Sequence, residues 1–398
     1  MNSKLKIGFI THIHLNKDNC KTSIIEIIKN LSKRGNKTDL IVPSIPKNSF
    51  KYAIEDIIYL FSLDINFLSS IIFSISLFFY LPFYILKKKP DIIILDAPCF
   101  FGGILVMFIS KMNLIKTKFI FDVRSTPVDT KGIHGFFYKL QYFISIFLAK
   151  YLSDGITFLT ERMAKAECKN FGIRDKPIEI WTSGVDEELF NPILYRQKSV
   201  KLRKKLCLEN KFIIFYHGIL SPNRGLQNTI KAINLLKKDH QNIVFFLLGG
   251  GVVEKEIKKL VKENNLQKNV ILHSSVDYKE VPKYISMIDV GIVPLPHHQY
   301  WNNQSPLKVM EYLSMEKPII LTNIPAHLDI IKKEKCGILI RSHSPEDIKK
   351  GIIKAYENRK NFKILGKIGR KIILKKYNWG KIAKHLEIFL MKVKNEKK

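Results

Sequence analysis

Cysteine is scarce in this sequence and irregularly spaced. Five cysteines are scattered among 398 residues, and no two of them form a C-x-x-C pair. Such a set favours neither a disulfide framework nor a zinc site, so we expect a reducing, cytoplasmic location. The amino-terminal residues lack an apolar run of signal-peptide length followed by a small-residue cleavage site, so the sequence predicts no secretory signal.

Acidic residues are also few. The chain has 35 acidic and 66 basic residues, and most of the net charge of +31 lies in residues 200–398, which hold 39 basic and 17 acidic side chains. With 46% hydrophobic residues, the composition excludes a disordered chain. The charge leaves open a lysine-rich solvated surface or an anionic partner. Basic and aromatic residues are not interleaved as single-stranded nucleic-acid binding requires, so we expect no nucleic-acid partner.

One long run lacks charge altogether. The residues from Phe67 to Leu86 are uncharged and are followed by three lysines. This run has three interpretations: a span of the bilayer, an ordinary core helix, or a helix that faces a membrane surface on one side. A span would separate the preceding strands from Asp91 to Leu95, which resembles another strand of the same sheet. Together with the aromatic-rich stretch from Phe136 to Leu148, the run favours peripheral contact with the inner face of the membrane.

Short apolar runs alternate with helical patterns in both halves of the chain, which is typical of parallel α/β sheets. The sequence therefore predicts an α/β protein of two doubly wound, Rossmann-like domains. We place the first domain at residues 1–195, the second at 196–375, and a closing helix at 376–398 that packs back toward the first domain. The strands and helices that carry this prediction are Lys6 to Thr11, Ser23 to Arg34, Asp39 to Val42, Phe212 to Tyr216, Leu226 to Lys238, Ile243 to Leu248 and Glu254 to Asn264.

Glycine-rich loops follow two strands of the second half. Gly218 allows close approach of the backbone at the end of a strand, where open parallel sheets bind ligands, and the triplet from Gly249 to Gly251 gives the same freedom to the next strand. Arg224 stands just before a helix, where its guanidinium can neutralise a diphosphate through two hydrogen bonds.

The segment from Asn302 to Pro318 leads from a strand into a helix that we expect to begin near Ser305, the cap, with Pro306 in its first turn. A helix start suits a phosphate group, and Lys308 in the first turn is explained by an anion there or by simple exposure to solvent. Glu311, one turn further along, suits the paired hydroxyls of a ribose.

Taken in order, these segments resemble the family 4 glycosyltransferases, which are retaining enzymes of the GT-B fold with two Rossmann-like domains facing a cleft. The resemblance implies a nucleotide-sugar donor held mainly by the second domain. Glu311 matches the glutamate that binds the donor ribose, and Arg224 matches the basic residue that holds the diphosphate. The further segments that carry the resemblance are Lys89 to Ile93, Phe121 to Arg124, Thr157 to Thr160, Gly184 to Asp186, Asp289 to Pro294 and Tyr377 to Trp379.

The sequence departs from the family pattern in three places. Asn303 stands where the first glutamate of the family motif is expected to hold the transferred sugar, and Ile219 replaces an arginine that often follows the glycine of the phosphate loop. The glycine pair common in the first loop is absent from residues 12–22. We expect donor contacts from these residues: Gly218, Arg224, Asn303, Ser305, Pro306, Leu307, Lys308 and Glu311.

Sugar transfer requires stabilisation of the leaving diphosphate, which we assign to Arg224, Lys308 and the N–H groups at the helix start. Asp122, at the end of an apolar strand, is the candidate for orienting or deprotonating the acceptor. Four loop histidines, His12, His14, His297 and His298, lack the spacing of a metal site, so we expect no metal and no cofactor beyond a UDP- or GDP-sugar co-substrate.

These residues predict a cytoplasmic hexosyltransferase at the inner membrane face, acting on a lipid-linked or cell-surface glycan. Two alternatives remain open at this stage. One is a nucleotide-sugar epimerase of the same architecture, and the other is a non-catalytic basic protein that binds nucleic acid or anionic lipid.

Overall fold

The computed structural model describes residues 4–15, 21–44, 54, 56–63, 66–127, 132–331 and 336–396. The chain forms two compact units. Unit 1 comprises Met1–Thr182 with Trp379–Lys398, and unit 2 comprises Ser183–Asn378.

Unit 1 contains a parallel sheet of seven strands in the order β3-β2-β1-β4-β5-β6-β7. Strands such as β5 are buried along their whole length, as expected for a parallel sheet covered on both faces. The order reverses at β1, which lies between β2 and β4. The strands are β1 Lys6–Ile10, β2 Lys37–Ser44, β3 Asp56–Phe61, β4 Ile92–Asp96, β5 Lys118–Val123, β6 Gly155–Phe158 and β7 Ile178–Ile180, and the helices between them are α1 Lys21–Lys33, α2 Asn66–Lys88, α3 Phe100–Lys111, α4 Gly132–Leu152 and α5 Glu161–Phe171.

Unit 2 contains a parallel sheet of six strands in the order β10-β9-β8-β11-β12-β13, with its reversal at β8. The two doubly wound sheets predicted from the alternating pattern are thus confirmed. The strands are β8 Phe212–His217, β9 Ile243–Leu248, β10 Val270–His273, β11 Val290–Val293, β12 Ile319–Thr322 and β13 Gly337–Ile340. The helices are α6 Arg196–Lys205, α7 Leu226–Leu236, α8 Glu254–Glu263, α9 Val281–Ser286, α10 Gln299–Asn302, α11 Leu307–Ser314, α12 Pro325–Ile331, α13 Pro345–Glu357 and α14 Phe362–Lys376.

The first boundary between the units lies at 182/183, and not at the predicted 195/196. The residues that follow Thr182 are hydrogen-bonded within unit 2. The Val185 N–H donates to the Tyr377 carbonyl (2.8 Å), and the Phe190 carbonyl accepts from Ser314 Oγ (3.0 Å). The second boundary lies at 378/379, three residues beyond the predicted one. Asn378 stays in unit 2 because it forms a parallel β-bridge with Val185.

The closing helix, α15 (Trp379–Asn395), belongs to unit 1. Its buried Glu387 carboxylate contacts two side chains at the end of α1. Oε2 lies 2.6 Å from Arg34 Nη2, and Oε1 accepts a hydrogen bond from the Asn36 amide at 2.6 Å. Lys394 of the same helix pairs with Asp91 (2.8 Å). Polar contacts in the middle and at the carboxyl end of the helix therefore attach it to unit 1.

Helix α2 contains the long uncharged run. It is the one helix of the described residues that is long and apolar enough to cross a membrane, a property that core helices share. Its inner face is buried on the sheet through Phe73, Leu77 and Leu81, whereas Phe79 on its outer face is 74% exposed. Strands β3 and β4, which it connects, belong to one sheet. A bilayer span would separate these strands, so α2 is a crossover helix with an exposed apolar face.

Replacing Glu387 by alanine is expected to destabilise unit 1 by about 2 kcal/mol, because a guanidinium and a buried amide lose their acceptor. Urea unfolding followed by tryptophan fluorescence measures this, since the buried Trp181 and Trp379 both lie in unit 1. Lys384→Ala, at an exposed position of the same helix, is the control. Equal unfolding midpoints for the two variants would contradict the proposed anchoring.

Candidate functional site

The loops that follow β8, β9 and β11 meet at the carboxyl edge of the unit 2 sheet. Strands β8 and β9 end in register, His217 beside Leu248. Beyond this pair the two loops remain joined by backbone hydrogen bonds, from the Gly218 N–H to the Leu248 carbonyl (2.9 Å) and from the Leu220 N–H to the Gly250 carbonyl (3.0 Å). Since β8 is where the strand order reverses, this edge is the expected ligand site of the sheet.

Two glycines allow these loops to pack backbone against backbone. Gly249 has φ +152°, and a Cβ atom there would lie 2.0 Å from the Gly218 carbonyl oxygen. Gly225 has φ +71°, and its Cβ would lie 2.1 Å from the carbonyl oxygen of Pro294, in the loop after β11. Any side chain at either position would separate the loops.

Helix α11 begins at Leu307, one residue later than predicted. Pro306 is extended (φ −73°, ψ 109°) and occupies the N-cap position, and no side chain caps the helix. The prediction of Ser305 as the cap and Pro306 as the first turn is therefore wrong, because the extended ψ of Pro306 delays the first helical residue. The first N–H groups of the eight-residue helix lack intrahelical acceptors, as the resemblance to a phosphate-binding segment requires.

Glu311 lies inside this site and is only 2% exposed. Its Oε2 atom is 2.7 Å from His217 Nε2, and its Oε1 atom accepts a hydrogen bond from the Tyr278 hydroxyl at 2.9 Å. Burial alone would raise the pKa of Glu311, but the hydrogen bonds from His217 and Tyr278 and the charge of Lys308 lower it. The carboxylate is therefore ionised and held in one orientation. Each oxygen keeps a second acceptor position for a ligand hydroxyl.

His217 connects Glu311 to the strand below it. Burial lowers the pKa of His217, which favours the neutral ring. Since the ionised Glu311 can only accept, Nε2 carries the ring proton, and Nδ1 accepts from the Tyr312 hydroxyl 2.9 Å away. His217, Tyr278 and Tyr312 form the shell that orients the carboxylate, and the sequence did not assign them this role.

Two cations lie beside this carboxylate and its loops. Lys308 Nζ is 5.0 Å from the centroid of the Tyr216 ring and would be 3.0 Å from a Cβ placed on Gly218. The guanidinium of Arg224 lies over the Trp301 ring at 4.2 Å, and Arg224 Nε donates to Ser221 Oγ at 3.2 Å. Both cations thus lie over aromatic faces.

The structure brings Gly218, Lys308 and Glu311 into one cluster. Arg224 lies over Trp301, which belongs to the short helix α10 just before Asn303. The Asn303 N–H donates to the Tyr300 carbonyl (3.3 Å), which holds the asparagine at the end of that helix. Ser305, Pro306 and Leu307 lie on the connection between α10 and α11.

Asp122 does not occupy an accessible position in unit 1. The side chain is 3% exposed, and its Oδ1 accepts from Thr157 Oγ1 (2.6 Å) and Trp181 Nε1 (3.0 Å). Burial raises its pKa to about 6, against the opposing charge of Arg124, whose guanidinium lies over the Trp181 ring. The predicted role of Asp122 in orienting or deprotonating the acceptor stays a prediction. Its carboxylate connects β5 to β6 and to Trp181, which follows β7.

Among the described residues, no group of three or more His, Cys, Asp and Glu side chains is arranged to hold a metal ion. His12 instead pairs with Asp96 (2.7 Å), and His14 Nε2 lies 2.8 Å from Ser69 Oγ. His297 Nε2 lies 3.3 Å from the Arg341 carbonyl oxygen, and the His298 side chain caps α10.

Gly249→Ala is expected to destabilise unit 2 by roughly 1–3 kcal/mol through strain and loop separation, which corresponds to a melting temperature lower by several degrees. Gly250→Ala is the matched control from the same triplet, since its Cβ would meet no atom closer than 3.6 Å. Thermal unfolding of both variants measures the difference. If the two melt at the same temperature, the close packing of the loops is not required.

Two family models match the chain. The model described as Glycosyltransferase Family 4 matches residues 21–189, and the model described as Glycosyl transferases group 1 matches residues 198–372. An uncharacterized glycosyltransferase of Methanocaldococcus jannaschii is 27% identical over 92% of each chain. A GDP-mannose-dependent alpha-(1-6)-phosphatidylinositol monomannoside mannosyltransferase of Mycobacterium tuberculosis is 20% identical over 60% of this chain and 62% of its own length.

The crystal structure of Anabaena Alr3699/HepE in complex with UDP superposes on this fold with a TM-score of 0.76 at 13% identity, covering 98% of this chain and all of that one. The two family models together match most of both units, and the structural likeness extends over nearly the whole chain. The chain belongs to the family 4 glycosyltransferases and is a glycosyltransferase of the GT-B fold.

Proposed function

We propose that this glycosyltransferase moves a hexose from a UDP- or GDP-sugar, with retention at the anomeric carbon, to a lipid-linked or cell-surface glycan. We place this reaction at the cytoplasmic face of the cell membrane, in polysaccharide biosynthesis, with no metal or other cofactor. The single observation that carries the proposal is the ionised Glu311 carboxylate, held between His217 and Tyr278 beside Lys308.

The donor half of the proposal follows from complementary chemistry. A carboxylate with open acceptor positions on both oxygens suits the two hydroxyls of a ribose. A diphosphate suits the start of α11, the backbone at Gly218 and the cations Lys308 and Arg224. The UDP bound in the Anabaena structure and the GDP-mannose named for the mycobacterial relative support a nucleoside-diphosphate sugar.

The negative charge that develops on the leaving diphosphate during transfer determines which residues stabilise the transition state. As the anomeric carbon becomes oxocarbenium-like, negative charge grows on the leaving diphosphate, and Lys308 and Arg224 stabilise it electrostatically. We assign no protein nucleophile, so retention arises from attack by the acceptor on the face that the diphosphate leaves. Asn303, a neutral amide where the family has a glutamate, contributes hydrogen bonds but no charge to the transferred sugar.

Arg224→Ala and Glu311→Gln are each expected to lower transfer at least 100-fold, by removing diphosphate stabilisation and ribose binding respectively. Glu311→Gln replaces the carboxylate by an amide of the same shape, so both variants should remain folded. Lys363→Ala, at an exposed position of α14, is the control.

A thermal-shift screen with UDP, GDP, ADP and their sugars measures donor binding independently of turnover. A ligand at about 100 times its dissociation constant stabilises the native state by roughly 2.7 kcal/mol. Full activity in both variants would contradict the site, and the absence of any nucleotide-dependent shift would contradict the donor class. Consumption of a nucleotide sugar without an acceptor, to yield its epimer, would favour the epimerase alternative.

The acceptor half of the proposal rests on a surface of unit 1 formed by α2, α3 and α4, where α2 packs on α3 and α3 on α4. None of these helices contains an aspartate or a glutamate. Lysines lie near their carboxyl ends, as at Lys87 and Lys150. The outward side chains are large and apolar: Leu68, Ile71, Ile75, Phe79, Phe83, Leu86, Leu105, Phe108, Ile133, Phe136, Phe137, Leu140, Phe143, Phe147 and Tyr151.

We call the exposed face formed by these side chains of α2, α3 and α4 the apolar surface. We propose that the apolar surface binds an anionic membrane. A group of exposed, large apolar side chains on neighbouring helices marks an interaction site. The absence of acidic side chains and the presence of lysines match an anionic lipid surface more closely than a protein partner. The phosphatidylinositol-based acceptor named for the mycobacterial relative supports a lipid-linked substrate.

The double variant Phe79→Glu, Phe136→Glu is expected to reduce co-sedimentation with vesicles of phosphatidylglycerol and phosphatidylcholine at least tenfold, since it places two carboxylates against anionic lipid. Ile364→Glu, which changes an exposed apolar residue of unit 2, is the control and should bind as wild type does. Equal sedimentation of all three proteins would contradict the assignment. Release of wild-type protein by single-stranded or duplex DNA would instead indicate a nucleic-acid partner.

A further inference from the structure

A cavity of about 180 Å³ lies at the amino edge of the unit 1 sheet. It is formed at the starts of β1, β2 and β3 and at the carboxyl end of α2. Open parallel sheets bind their substrates at the opposite, carboxyl edge, and none of the lining residues belongs to the donor site or to the apolar surface. The lining residues are Lys6, Ile7, Lys37, Asp39, Asp56, Tyr84, Lys88 and Pro90.

The strand register places charged residues of this lining on one face of the sheet. Lys6 of β1 is in register with Lys37 of β2. Two residues further along, Gly8 is in register with Asp39, and Asp39 is in register with Asp56 of β3. Residues in register on neighbouring parallel strands, and residues two apart on one strand, project to the same side of the sheet. Two lysines therefore stand side by side at the edge, with two aspartates behind them.

The carboxyl end of α2 contacts both aspartates. The hydroxyl of the buried Tyr84 donates a hydrogen bond to Asp39 Oδ2 at 2.9 Å, and Lys88 Nζ lies 2.5 Å from Asp56 Oδ2. Gly8 leaves room for the tyrosine, because a Cβ atom there would lie 2.9 Å from the Tyr84 hydroxyl oxygen. Tyr84 thus closes the floor of the cavity, and α2 supplies donors to both of its carboxylates.

The remaining two lysines of the lining, Lys6 and Lys37, are exposed. No carboxylate of the described residues forms an ion pair with either ammonium group. Asp91 accepts a hydrogen bond from the Lys6 backbone N–H, but its carboxylate pairs with Lys394. Because neighbouring strands are only about 4.8 Å apart, the two ammonium groups repel each other. An anion between them would replace this repulsion by attraction.

We infer that the cavity binds a phosphate group between the ammonium groups of Lys6 and Lys37. A phosphate has several charged oxygens that two lysines can share, and lysine binds phosphate as a compact point charge. Three lysines and two aspartates give the lining a net positive charge that also favours an anion. The phosphate group comes either from a small ester in solution or from the head group of a phospholipid. This inference does not rest on the proposed function.

The competing explanation is that both lysines are ordinary solvated residues. A chain with a net charge of +31 attracts phosphates over its whole surface, so the control must have the same charge as the test variant. The test variant is the double substitution Lys6→Gln, Lys37→Gln. The matched control is Lys33→Gln, Lys169→Gln, which removes two exposed lysines of unit 1 that do not line the cavity.

Isothermal titration calorimetry in phosphate-free buffer measures the binding of two probes. One is glycerol 3-phosphate, and the other is dihexanoylphosphatidylglycerol below its critical micelle concentration, which presents a lipid head group without a membrane. We expect the test variant to raise the dissociation constant of the bound probe at least about tenfold, and the control to change it less than about twofold. Binding of glycerol 3-phosphate indicates a small ester, and binding of the lipid alone indicates a head group.

Two further measurements keep the cavity apart from the donor site and from loss of the fold. Arg224→Ala, which alters the proposed diphosphate site, should bind the probe as wild type does. The test variant without ligand should melt at the wild-type temperature or above it, because a repelling pair has been removed.

The inference is overturned if the wild-type protein binds neither probe, or if the test variant and the control bind equally well. It is also overturned if Arg224→Ala abolishes the binding, which would place the phosphate at the donor site. A wild-type protein that binds a probe in this way but transfers no sugar overturns the proposed function alone.

Discussion

The candidate site of unit 2 depends on backbone-to-backbone packing of three loops. The contacts of Gly249 with Gly218 and of Gly225 with Pro294 leave no room for a Cβ atom. Because the loops approach closely, Lys308 of α11 reaches the loop after β8. For the same reason Arg224 lies over Trp301. A side chain inserted between the loops would move Lys308 and Arg224 apart. The attraction of both cations for one diphosphate would then be weaker, because Coulomb attraction falls with distance and with the entry of water.

The buried carboxylate imposes the second constraint. Placing Glu311 at 2% exposure is unfavourable unless its charge is compensated, and His217, Tyr278 and Lys308 provide that compensation before any ligand arrives. His217 and Tyr278, which compensate the charge of the carboxylate, therefore also hold it in one orientation. Unit 1 shows the contrasting case. Asp122 is as deeply buried, but its partners Thr157 and Trp181 lie in the same unit and burial still raises its pKa to about 6.

The two sheets and the proximity of Gly218, Lys308 and Glu311 were predictable because they are encoded locally. Apolar runs that alternate with helical spacing predicted both sheets, and the short segment from Ser305 to Glu311 carried the donor chemistry. The rest depends on contacts between residues distant in the sequence. The residues near Asp122 in the sequence do not indicate its partners Thr157 and Trp181. Tyr278 is likewise 33 residues from Glu311 in the sequence, and Asp96 is 84 residues from His12. The predicted start of α11 was wrong because the sequence Ser305-Pro306 is typical of a helix cap followed by a first turn. In the structure Pro306 has an extended ψ angle and is itself the cap. The boundary at 182/183 likewise depends on a pairing with residue 378.

The apolar surface and the carboxyl edge of the unit 1 sheet are connected within unit 1. The loop that carries His12 contacts the first turn of α2 through His14 and Ser69, and Asp96 caps the short turn that leads into α3. In a parallel sheet, helices begin at the edge where strands end, so the apolar surface formed by α2, α3 and α4 starts at the edge that holds His12 and Asp96. A lipid-linked acceptor whose tail lies in a bilayer bound to this surface has its polar head near that edge. The proposal of a membrane-anchored acceptor therefore predicts that the edge that holds His12 and Asp96 lies close to the bilayer, on grounds independent of net charge.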